Sequence, residues 1–333
     1  MMRTHYLFLS LFIWLMGACS RPDVVIYCAA DQDFAQPILK ELGAKLGMDV
    51  RTVFDAEAAK TVGLVRTLLE EKTRPRCDVF WNNEIVHTLR LKEAGVLASY
   101  ASPSAANIPT EYKDPAGYWT GFAARARVII INTDLVKSDA RPNSVRDLAN
   151  PIWKAKCGFP RPLAGTGLTH FASLISLWGN DAALQFFDGV LANNVNLASG
   201  NGPVAKLVGA GELAWGIVDT DDYEVQRRNG KPVDAIYPDQ DAEGTIVLPN
   251  TIALVAGSPN PENGKKLIDA LLDTDIERRL AESASANIPV RAGVPVPKNV
   301  KKLGEFRSAN VNFDAVAKSY DANLEILKKR FLR

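Results

Sequence analysis

The stretch VVIYCAADQDFAQPILKELGAKLGMDVRTVFD, residues 24–55, sets the fold class. VVIYCAA (24–30) is a short apolar run of the kind shown by a strand buried on both faces. DFAQPILKELGAKLG (33–47) carries apolar residues at helical spacing and stops at Gly47, and MDVRTVFD (48–55) returns to a strand. AAKTVGLVRTLLEEK (58–72) then reads as a second helix and CDVFWNN (77–83) as a third strand. The order βαβαβ implies right-handed crossovers and an α/β domain built on a parallel sheet covered on both faces. Ligands of such sheets bind beyond the carboxyl ends of the strands.

Further strands are expected at RARVIIINTD (125–134), GELAWGIV (211–218) and LPNTIALVAGS (248–258), with Pro249-Asn250 as a break before the last. KCGFPRPLAGTGLTHFASLISLWG (156–179) runs from a strand-like entry through a Gly-Thr-Gly turn into an apolar helix. PENGKKLIDALLDTDIERRLAES (261–283) is helical, and the last 30 residues are amphipathic and basic. Three polar segments end strands at one common edge: CAADQD, WNNE and DTDDYE.

The chain has 333 residues, 47% hydrophobic and 23% charged, which suits a globular protein of one large or two ordinary domains. With 39 basic and 38 acidic residues it lacks the excess of positive charge that a nucleic-acid binder needs. Residues 1–19 have a basic start at Arg3, an apolar run from Tyr6 to Met16 and a Gly17-Ala18 step before Cys19. That is a secretory signal, too short to span a membrane, and LMGAC resembles the lipobox after which the cysteine is acylated. A chain anchored through Cys19, otherwise soluble and monomeric, is expected. Cys28, Cys77 and Cys157 show no metal or redox spacing, and the two thiols Cys28 and Cys77 fall at opposite sheet edges if their strands are parallel.

The order and spacing of five segments resemble the periplasmic solute-binding proteins of ABC importers, in the ferric-iron-binding branch. They are VVIYCAADQDFA, CDVFWNNEIVHTLRLKEAGVLASY, GFAARARVIIINTDLV, PIWKAKCGFPRPLAGTG and GELAWGIVDTDDYEV. The resemblance implies a two-lobe type II periplasmic-binding-protein fold, each lobe a doubly wound α/β sheet, with a permease as partner and a ligand in the cleft. Lobe 1 is expected at 23–124 with 252–300, lobe 2 at 125–251, and C-terminal helices at 301–333 pack against the lobes. The two crossings fall near 121–127 and 248–251.

The family's iron ligands do not all carry over. A His or other ligand after the first strand, a Glu after the third and two consecutive tyrosines correspond here to Asp31, to Asn83 with Glu84 beside it, and to Asp221-Asp222. Tyr223 lies one place late. The anion-holding half survives better: Gly165, Thr166 and Gly167 open a helix whose free N–H groups and dipole favour an anion. Arg125 takes the place of a cleft arginine, Asn201 precedes another helix, and Trp81 ends a strand where aromatics stack on ligands. Blander roles stand beside these. Asp219 and Thr220 can cap the next helix, Thr166 can cap its own, and His87 and His170 suit structural positions.

No GxSxG, GxxxxGK[ST], HExxH or GxGxxG motif is present, so no cofactor and no reaction is expected. The ligand expected from an anion site beside hydrogen-bonding carboxylates is a phosphorylated or phosphonate-bearing metabolite with hydroxyl or amino groups. Ferric iron held by carboxylates with a bound anion is the alternative.

Overall fold

The computed structural model describes residues 21–55 and 62–332. The signal at 1–19, Cys19 and the first turn of the helix expected from residue 58 lie outside the described residues.

Among the described residues, ten strands and eleven α-helices follow one another in this order. The first part comprises β1 (Val24–Cys28), α1 (Gln32–Leu46), β2 (Val50–Phe54), α2 (Val62–Glu70), β3 (Val79–Asn82), α3 (Ile85–Glu93) and β4 (Leu97–Ala98). The long β5 (Thr120–Asn132) leads into β6 (Cys157–Pro160), α4 (Gly165–Trp178), α5 (Asn180–Ala192), β7 (Asn196–Ala198), α6 (Asn201–Gly209), β8 (Trp215–Asp219), α7 (Thr220–Arg228) and β9 (Val233–Ile236). The chain returns through β10 (Val247–Val255) and ends with α8 (Pro261–Leu271), α9 (Thr274–Glu282), α10 (Phe313–Lys318) and α11 (Tyr320–Phe331).

The sheet order is β2-β1-β3-β10-β5-β8-β6-β7, with β4 beside β10 and β9 beside β5. β1 is parallel to β2 and β3, as the opening stretch requires, and β6 is parallel to β7 and β8. The two middle strands differ: β10 runs antiparallel to β3 and β5, and β5 antiparallel to β8 and β9. β5 changes partner along its length, pairing through Ala126 with β10 and from Arg127 onward with β8.

Every residue of β5 and β10 is buried, and successive side chains serve opposite faces of the sheet. Phe122, Ala124, Ala126, Val128 and Ile130 join the core under α1, α8 and α9, while Ile129 and Ile131 join the core around Phe171 and Phe187. α1 ends because Gly47 adopts a left-handed conformation, φ 63°, that a side chain would strain. α6 lies so close to β8 that a Cβ on Gly216 would come 2.5 Å from Val204 Cγ1.

Two expectations change. The single helix over 261–283 is two, because Asp273 caps a fresh start by accepting from the Asp275 N–H. Pro249-Asn250 does not precede β10 but lies inside it, where the missing proline N–H is accommodated by a register shift against β5. Cys28, Cys77 and Cys157 are all buried free thiols. The C-terminal helices bridge the molecule: α10 contacts both α3 and α4, and the Phe331 ring lies 5.6 Å from that of Phe171.

Candidate functional site

β1 and β3 are parallel and end at one edge, whereas β8, antiparallel to β5 as β5 is to β10 and β10 to β3, runs the opposite way and brings its end to the cleft from the other side, so the one common edge expected for the three segments is two facing edges. Asp31, Trp81, Asn83, Arg125 and Asp221 line one cleft together with Asn287. Trp81 is 1% exposed and its ring lies 5.3 Å from Phe122, so it is core and cleft wall at once.

Beneath the cleft, Asp219 is the centre of a buried polar cluster. Its carboxylate accepts from Arg125 Nη1 at 3.1 Å, Arg127 Nη1 at 2.8 Å, Thr166 Oγ1 at 2.8 Å and Asn201 Nδ2 at 3.1 Å. Arg125 also donates to Asp221 at 3.3 Å and to the Asn83 carbonyl, and Arg127 to Asn201 Oδ1 at 2.7 Å. The α4 entry, Arg125 and Asn201, read from sequence as holders of a ligand anion, therefore gather around a carboxylate of the chain itself. Gly165 has φ 53°, and Gly167 lets the first turn of α4 approach Pro160, whose carbonyl oxygen would lie 3.1 Å from a Cβ there.

Asp219 precedes α7 but its side chain makes no cap, contrary to the capping alternative, because the guanidiniums hold it beneath the helix. Thr220 Oγ1 accepts from the Ala126 N–H of β5, and Thr166 gives its hydroxyl to Asp219 instead of capping α4. Glu84 is fully buried: it caps α3 by accepting from the Val86 and His87 N–H groups and takes a third bond from Thr169 Oγ1 on α4. That leaves it behind the cleft wall. Tyr223 is half-buried, packs from α7 against the apolar core and does not line the cleft. Glu224 is spent on Arg227 and Arg228.

Asp219, Asp221 and Asp222 bring carboxylate oxygens within 4.8 Å of one another. Burial opposes the charge of Asp219, but Arg125 and Arg127 outweigh it and hold that carboxyl below the usual range. Burial, with Asp219 and Asp31 adding repulsion against the pull of Arg125, pushes Asp221 up to about 6. Asp222 is driven well above the carboxylate range by burial and by Asp221. Among the described residues no donor bonds to the Asp222 carboxyl, and Asp31 lines the same cleft. The site thus stabilises an added positive charge. Arg125 Nε and Trp81 Nε1 are buried N–H groups with no acceptor among the described residues, and both residues line the cleft.

Sequence reading missed Arg127, which carries the interior of this cluster. The signal was present: Arg125 and Arg127 stand two apart on a strand buried on both faces, where paired charges need a buried counter-ion. Asn250, which donates to Asn287 Oδ1 and lines the cleft, was read only as part of a strand break.

The chain belongs to the bacterial extracellular solute-binding protein family, whose model matches residues 85–316. Its fold is that of the type II periplasmic binding proteins. The iron-bound HitA structure from Pseudomonas aeruginosa superposes with a TM-score of 0.83 at 22% identity, covering 92% of this chain and 98% of that one. In sequence the chain is 25% identical over 302 residues to Iron uptake protein A1 of Synechocystis sp., covering 88% of this chain and 82% of that protein. It is 28% identical over 270 residues to the Salmonella typhi "Putative 2-aminoethylphosphonate-binding periplasmic protein", covering 78% of each.

Proposed function

We propose that the protein is the ligand-capturing component of an ABC importer in the periplasm, tethered through Cys19, and that it closes over a small zwitterion carrying an ammonium and a phosphonate or phosphate. The lobes divide as 23–124 with 252–300 against 125–251, so closure brings half-sites together and the closed form is presented to the permease. One observation carries the ligand class: the same cleft is lined by the acidic side chains of Asp31 and Asp221, which attract a cation, and by Arg125 and Trp81, each of which carries a buried N–H with no acceptor among the described residues. A ligand of one charge would satisfy half of this set. The relative named for 2-aminoethylphosphonate supports this reading.

A second reading, a hard metal cation as cargo, is favoured by the convergence of the Asp219, Asp221 and Asp222 oxygens. The relatives named for iron support it. Calorimetric titration of the soluble chain with 2-aminoethylphosphonate, ethylphosphonate, ethylamine and ferric citrate separates the two. The zwitterion reading expects the aminophosphonate to bind most tightly and each half-molecule weakly. Tight ferric binding with no response to the aminophosphonate overturns it in favour of the metal.

A further inference from the structure

Behind the Asp219 cluster, on the side away from the cleft, lies a second and smaller cavity between α4, β5 and the 238–246 loop. Ten buried side-chain polar atoms have no hydrogen-bond partner among the described residues, and four of them belong to residues lining this one cavity. They are Arg127 Nη2, His170 Nε2, Trp178 Nε1 and Glu243 Oε2. Such clustering points to a partner shared by several of these atoms, since isolated buried donors and acceptors are rare and costly.

The protonation of these atoms follows from their neighbours. Arg127 Nε donates to His170 Nδ1 at 3.2 Å, so Nδ1 carries the lone pair and the neutral ring bears its proton on Nε2. Burial and the adjacent Arg127 hold that ring neutral. The fully buried Arg127 and His170 therefore each present an N–H, and Glu243 presents an acceptor. The outer wall is closed by packing. The Arg146 guanidinium sits 3.8 Å from the centre of the Trp178 ring and donates to Glu243 Oε1 at 3.3 Å, which leaves Oε2 for the interior. About 10 Å³ is open to the centre of a water molecule, close to the minimum that one water requires.

We infer that this cavity is a binding site for a single internal water that accepts from Arg127 Nη2 and His170 Nε2, donates to Glu243 Oε2, and thereby fixes the guanidinium that holds Asp219 under the cleft. Two donors and an acceptor match the two lone pairs and the protons of water. An anion would accept from the same N–H groups but would meet the Glu243 carboxylate at close range. Glu243, 26% exposed at its side chain and touching no cleft residue by any hydrogen bond or ion pair, becomes a positioning residue for the ligand site.

A high-resolution crystal structure of the unliganded soluble chain, with a parallel bromide soak, tests the site. The expected result is one ordered water about 2.7–3.2 Å from the three named atoms and no anomalous peak there. A bromide peak in the cavity overturns the proposal in favour of an anion site. A dry cavity with Glu243 turned to solvent overturns it outright. Guanidinium proton exchange by NMR tests the positioning role: Glu243→Leu should speed exchange of the Arg127 Nη2 protons about tenfold, and Glu243→Gln, which keeps an acceptor, should restore slow exchange. Exchange in folded Glu243→Leu equal to wild type refutes the tie to Arg127, and should that variant not fold, the crystallographic result decides alone.

Discussion

Removing the Asp219 carboxylate should cost more stability than any other change at the cleft. The side chain is fully buried and takes four hydrogen bonds, two of them from guanidiniums. Breaking one partner out of a buried ion pair costs about 3–5 kcal/mol, because the other charge is left without compensation. Arg125 would keep Asp221 and the Asn83 carbonyl, so the loss falls chiefly on Arg127, which retains only neutral partners in Asn201, Thr166 and His170. The expected loss for Asp219→Ala is therefore about 3 kcal/mol, at the lower end of that range. Asp222→Ala is the internal control, three residues away. Its carboxylate lies among like charges with no donor bonded to it among the described residues, so its removal should leave stability unchanged or raise it. Urea unfolding of both variants at neutral pH measures the difference directly. A loss under about 1 kcal/mol for Asp219→Ala, or equal losses for the two variants, would refute the assignment of Asp219 as the internal counter-ion of both arginines.

Arg125→Ala should weaken capture of 2-aminoethylphosphonate by about 1.5–3 kcal/mol, the value of a hydrogen bond to a charged group, whereas a metal cation should bind as well or better once the guanidinium is gone; calorimetry distinguishes them. The pH response has a definite sign. The Asp221 carboxyl is raised from 3.8 to about 6, so between those values the native state holds more protons than the unfolded chain, and the thermal midpoint of the unliganded protein should fall as pH rises through that window. Affinity for an ammonium-bearing ligand should change in the opposite direction, strengthening as pH rises through about 6, and a flat affinity profile from pH 5 to 7.5 would contradict the role of Asp221. Ferric citrate should give no visible phenolate-to-iron band, since Tyr223 packs against the core and does not line the cleft; a strong band in an absorbance titration would show a tyrosine recruited to the metal.

The class of fold was legible in residues 24–83 because local periodicity suffices there. A both-faces-buried strand is a continuous apolar run, an amphipathic helix has its own period, and Gly47 ends one into the other without reference to distant chain. The same locality marked the segments that form the site, since Asp31 and Asn83 follow parallel strands that end together and Asp221 follows β8, which meets them at the cleft from the other side. What the sequence left undetermined were the partners of the charges. DTDDYE reads equally well as a helix start or as a ligand loop, and Arg125 equally well as an anion clamp or as an ion-pair member. Only the register of β5 against β8, which sets Arg127 opposite Asp219, brings the two guanidiniums onto that carboxylate and leaves Asp221 and Asp222 in excess. A charge in a buried sheet is defined by whatever counter-charge lies across it, and residues 92 and 94 positions apart in sequence meet only when the tertiary fold has closed.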